Sequence, residues 1–118
     1  MTVRRLLTLA AAGLLLASPA QAQPITAQDN LDCAIWAAVA GGASEDEQFK
    51  NVLAIALGWF IGQYEGQTGK LIDEQLEQGV RNIDDAKYQA SAGICMARLG
   101  EFGQRLSTLG SGLSKGGQ

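Results

Sequence analysis

Two cysteines, Cys33 and Cys95, are the whole thiol inventory of the chain. They admit one intramolecular pairing. Joining them closes a loop of roughly 60 residues, for which chain entropy gives about 4 kcal/mol of stabilisation. That is a large share of the ~5–10 kcal/mol expected for a small domain, so the expected fold brings positions 33 and 95 together. Other uses of the thiols fit less well. Exchange enzymes place their cysteines as C-x-x-C, so that a helix N-terminus lowers one thiol pKa, and that spacing is absent. A zinc site wants four ligands, and two thiols with no histidine anywhere fall short. Intermolecular pairing is the remaining alternative.

A disulfide requires an oxidising compartment, and the first residues point to one. Arg4 and Arg5 precede an apolar run from Leu6 to Leu16, and Ala20-Gln21-Ala22 puts small residues where a signal peptidase reads. Residues 1–22 therefore read as a cleaved signal peptide, with periplasmic or secreted localisation. The run is too short for a membrane span, which needs about 20 residues. The expected product lacks a cysteine at the cut, hence is soluble rather than lipid-anchored, with no stable membrane insertion.

Removing 22 of 118 residues leaves 96, and removing Arg4 and Arg5 leaves seven basic side chains against twelve acidic ones. A net charge of −5 without a basic cluster argues against nucleic acid, whose affinity comes mostly from neutralised phosphates. It disfavours anionic membrane surfaces in the same way.

Periodicity predicts an all-α fold, a small four-helix bundle stapled by one disulfide, as one domain over 23–109. A first helix is expected from Asp29 or Asn30 as N-cap, stopping at Gly41-Gly42. The stretch Ser44-Glu45-Asp46-Glu47 has capping-box spacing and predicts the start of a second helix. As a metal site it is poor, since consecutive helical residues point in different directions. The second helix contains ten nonpolar residues in succession, Val52 to Ile61, and is expected as the central, buried helix. Ala54, Gly58, Gly62 and Gly66 recur at every fourth position. Three helical glycines cost on the order of 2–3 kcal/mol against alanine. Close packing against another helix explains that cost, with a small face of the last helix (Ala86, Ala90, Gly93, Ala97, Gly100) as the expected partner, a second copy as the alternative and a flexible kink as the third reading.

Gly66 to Gly69 reads as a turn, with Thr68 capping a third, amphipathic helix that carries Leu71, Ile72, Leu76, Val80 and Ile83 on one face. Asp73, Glu74 and Glu77 on the other face read as solvated rather than cation-binding. Asp84 or Asp85 caps the last helix, in which Tyr88, Ala92, Cys95, Leu99, Phe102, Leu106 and Leu109 alternate spacings of four and three. The Gly/Ser-rich residues 110–118 are expected to be a disordered tail.

Chemistry is sparse. No histidine, nucleophile elbow, phosphate loop or calcium loop is present, so no catalytic residue, metal ligand or cofactor is assigned. Trp36, Trp59, Phe60 and Tyr64 could line a small apolar pocket, though aromatics at helical spacing more often build core. The leading expectation is a non-enzymatic exported protein acting through protein–protein contact or self-association. In size, export, acidity, helicity and single long-range disulfide the chain is similar to the small periplasmic acid-stress chaperones of enteric bacteria, a likeness of architecture that covers no alignable segment. It implies a holdase whose apolar helix surface opens in acid. An apolar-ligand carrier or an unrecognised enzyme is the third class.

Overall fold

The computed structural model describes residues 23–116, so the expected signal peptide lies outside the described residues. The fold is all-α, with four helices: α1 (Ala27–Ala43), α2 (Glu47–Thr68), α3 (Asp73–Asn82) and α4 (Asp85–Gly116). Cys33 and Cys95 are joined in a disulfide that links α1 to α4, with a Cα–Cα distance of 5.4 Å. Both half-cystines are buried.

Capping decides the helix ends, and it moves several of them from the expected positions. Thr26, not Asp29 or Asn30, is the N-cap of α1. Its hydroxyl accepts from the Asp29 amide at 3.1 Å, and the Asp29 carboxylate accepts from the Thr26 amide at 2.8 Å. Asp29 thus serves at the third helical position, and Asn30 is drawn inside. At its other end α1 runs through Gly41-Gly42 to Ala43. Helix propensity alone penalises that pair, but packing against α2 overrides it: Ala40 is buried, and a Cβ on Gly41 would meet the Leu53 side chain at 3.7 Å.

The expected Ser44/Glu47 box does not form. Asp46 caps α2 instead, accepting from the amides of Gln48 and Phe49 at 2.9 and 3.2 Å, while the Ser44 hydroxyl accepts from the Asp46 amide. A carboxylate at the positive end of the helix dipole outcompetes a hydroxyl two residues earlier. At the far end α2 includes Gly66 and Thr68 and terminates at Gly69, whose φ of 68° is the left-handed conformation glycine adopts freely. Thr68 therefore belongs to the end of α2 rather than to the start of α3, and its hydroxyl donates back to the Tyr64 carbonyl. The α3 entry is served across the turn by Glu65, whose carboxylate accepts from the Ile72 amide at 3.0 Å. Asp84 supplies the entry of α4, accepting from the Lys87 amide.

The hub of the bundle is α1, not the ten-residue apolar stretch of α2. Five successive residues, Cys33 to Ala37, are buried, because α2, α3 and α4 all pack on α1. Its alanines leave room for three neighbours. In α2 only Leu53, Ala56, Phe60 and Tyr64 are buried, the one-sided spacing of a peripheral helix, and Val52 and Ile55 are exposed. The tight approach is made by α3. A Cβ placed on Gly79 would stand 2.1 Å from Cδ1 and 2.6 Å from Cγ1 of Ile35.

The α4 stripe docks as its spacing predicts through its first half, where Ser91, Cys95 and Arg98 are buried and Tyr88, Ala92, Leu99 and Phe102 half-buried. Beyond Phe102 nothing covers it. The segment expected as a disordered tail is helical through Gly116, and every residue from Gly103 to Gly116 is exposed.

Candidate binding site at Arg98

Asn30 and Arg98 sit three residues before Cys33 and three after Cys95, so the disulfide brings their side chains together one helical turn away. Arg98 donates to Asn30 Oδ1 at 2.6 Å, to the Asp29 carbonyl at 3.4 Å and to Cys33 Sγ at 3.5 Å. Asn30 passes the connection on, donating to Gln67 Oε1 at 2.6 Å, and Gln67 donates to the Ile25 carbonyl at 2.9 Å. One chain of hydrogen bonds therefore ties α4, α1, α2 and the lead-in segment. The guanidinium also lies 4.9 Å from the Phe60 ring centre and 5.5 Å from that of Trp59, within cation–π range.

Arg98 is only 9% exposed, and its Nε has no hydrogen-bond partner. All its acceptors are neutral. No carboxylate among the described residues is within ion-pair distance of it, the pairs present being Lys50–Glu47, Arg81–Glu77 and Lys87–Asp32. Burial pulls its pKa below the ordinary arginine value, opposed through space by Asp29 and Glu101. A buried charge without a counter-ion is costly to the fold.

Beside it lies a cavity of about 180 Å³ lined by Ile25, Trp59, Arg98, Glu101, Phe102 and Arg105. Trp59 and Phe102 are stacked, with centroids 4.2 Å apart and planes 6° from parallel. A second cavity of about 180 Å³, between α1, α3 and α4, holds Asp32 and Lys87, which neutralise each other at 2.9 Å.

The aromatic set proposed as a pocket divides. Trp36, Phe60 and Tyr64 are buried core, and Trp59 alone of the four reaches the cavity, stacked on Phe102 and in tilted contact with Phe60 at 5.0 Å between ring centres. The stripe Ala54, Gly58, Gly62 and Gly66 is exposed, and no atom lies within 4 Å of a Cβ placed on any of its three glycines. Close packing on α4 within one chain is thereby corrected: α2 turns its large residues toward α1, which leaves the small ones outward. Ala86, Ala90, Gly93, Ala97 and Gly100 of α4 are exposed as well. Periodicity passes over Arg98 and Asn30 because both are polar. Their signal is positional, each falling on an otherwise apolar stripe one turn from a cysteine.

No family model, curated protein or solved structure matches the chain. No helix among the described residues is long and apolar enough to cross a membrane.

Proposed function

We propose that the chain is a small exported helical protein, not an enzyme, that works by protein–protein contact through the outer half of α4. The closed disulfide and the leader-like residues 1–22 support export to the periplasm or beyond. One observation carries the contact reading. From Gly103 to Gly116 the helix stands clear of the rest of the chain, yet its apolar residues keep to one ridge, Leu106, Leu109 and Leu113, continuing the line of Phe102. Four of those residues are glycines (103, 110, 112 and 116), costing on the order of 3–4 kcal/mol relative to alanine. A free helix shorter than about 15 residues is marginal even in alanine-rich sequence. Burial of the leucine ridge against a partner offsets that cost.

The test places a photo-crosslinking amino acid at Leu109 or at Ser111, which points the opposite way, and irradiates cells exporting the protein. Discrete adducts from position 109 and none from 111 are the expected result. Equal labelling from both positions, or none from either, contradicts the reading.

A further inference from the structure

The Arg98 cavity adjoins the α4 ridge, sharing Phe102 with its line and Arg105 with the outer segment, and adds a charged group that the ridge lacks. We infer that it binds a small carboxylate carrying an apolar body, such as an aromatic acid or the C-terminal carboxylate of a peptide that ends in an apolar residue.

Three independent observations set that chemistry. First, the rim carries two guanidinium groups, Arg98 and Arg105, against one carboxylate, Glu101, and no ion pair among the described residues joins any of them. In a chain of net negative charge the lining itself carries one more positive than negative group, with Asp29 acting on Arg98 from outside it. Second, Arg98 is nine-tenths buried, retains an unpartnered Nε and has only neutral acceptors. An anion arriving there supplies the direct ion-pair partner that Asp29 and Glu101, acting only through space, do not, and arginine's planar fork suits a carboxylate. Third, the apolar part of the lining is the Trp59/Phe102 stack together with Ile25 from the lead-in segment. The volume of about 180 Å³ is below the ~300–1,000 Å³ of drug-sized sites, which limits the occupant to about one ring and its acid group. The neighbouring cavity is a contrast within the same molecule. Its Lys87 is already paired with Asp32, and it has no charge to offer an anion.

The probes are sodium benzoate, benzamide and benzamidine, planar and similar in shape but negative, neutral and positive, titrated into the disulfide-bonded protein. Proton–nitrogen correlation spectra follow the Trp59 indole, assigned by Trp59→Phe, and the Arg98 Nε–H. Benzoate is expected to shift both signals saturably, and the neutral and cationic analogues to shift neither. Arg105→Gln, at an exposed position, is expected to weaken benzoate about two- to fivefold, and Arg98→Gln to abolish the response. Because Arg98→Gln also removes a partner of Asn30, its circular dichroism is checked first, and Arg105→Gln decides the matter if that variant unfolds. A short peptide ending in phenylalanine, with a free or an amidated C-terminus, separates the two sources. Binding of the free acid form more tightly than benzoate assigns a peptide end, and weaker binding assigns a free aromatic acid. No shift with benzoate, an equal shift with benzamide, or unchanged affinity in Arg105→Gln overturns the inference.

Discussion

Gly79 in α3 and the three glycines of α2 are alike in sequence: single glycines inside helices. Their surroundings are opposite. Gly79 lies so near α1 that a methyl group there would overlap Ile35, whereas Gly58, Gly62 and Gly66 face open space. A glycine's helix penalty is thus explained by close approach only where a second helix is present. Spacing of four along a helix does not report whether one is. The same division runs through the molecule, with tightly fitted surfaces turned toward α1 and loosely constrained ones turned away.

The largest effect expected from that division is at the disulfide, the covalent member of the α1 contacts. Cys33→Ser or Cys95→Ser should cost about 2–5 kcal/mol in denaturant unfolding. A loss below about 1 kcal/mol would mean that noncovalent packing on α1 suffices. Next is Gly79→Ala, for which overpacking of about 1–3 kcal/mol should exceed the roughly 1 kcal/mol returned by helix propensity. Adding Ile35→Val, which removes the Cδ1 atom in the way, should recover part of the loss, so the double variant is less damaged than the sum of the two singles. Strict additivity would break the close-approach account. The outward glycines should respond with the opposite sign: Gly62→Ala should raise stability by up to about 1 kcal/mol, independently of protein concentration. A melting temperature that falls, and falls further on dilution, would instead place Gly62 in an interface between copies.

The smallest effect concerns the α1 entry. Hydrogen bonds from the Thr26 backbone and hydroxyl hold the Asp29 carboxyl pKa below its ordinary value of 3.8. A group whose folded pKa is depressed contributes stability above its unfolded pKa and loses it as pH falls through the folded one. Asp29→Asn should therefore narrow the stability difference between near-neutral pH and acid below the ordinary carboxylate pKa, by a few tenths of a kcal/mol at this exposed site. An identical acid profile for the two proteins would remove the carboxylate from the cap's energetics.

Much of the fold was legible before any coordinates. The helical class, the Cys33–Cys95 pairing and the docked part of the α4 stripe follow from periodicity and thiol count, properties local to the chain. Helix ends were less so. Ser44 against Asp46 and Thr68 against Gly69 are competitions between neighbours, decided by which group reaches the free amides or adopts a left-handed backbone. Which helix would be central was not legible either, because ten nonpolar residues in α2 look more buried than the alanines of α1. Small side chains admit three neighbours, and long apolar runs do not guarantee any. Of the candidate site, Trp59 was visible as an aromatic that lines a pocket or builds core. Arg98 was not, since a buried arginine makes sense only once Asn30, Phe60 and the disulfide surround it.

The disulfide also turns the chain into a closed ring with two arms. Residues 34–94, holding all of α2 and α3, lie within the ring, while the lead-in segment and most of α4 leave it from its two sulfur-linked corners. Five of the six residues lining the Arg98 cavity lie on those arms, and Trp59 alone belongs to the ring. A protease that cuts once anywhere between Cys33 and Cys95 opens the ring without releasing a fragment, so the nicked product keeps both arms attached until a reductant parts them. A cut beyond Cys95 frees the outer helix at once. Survival in a protease-rich compartment is thereby unequal along the chain: the ring tolerates a break, and the arm carrying the leucine ridge does not.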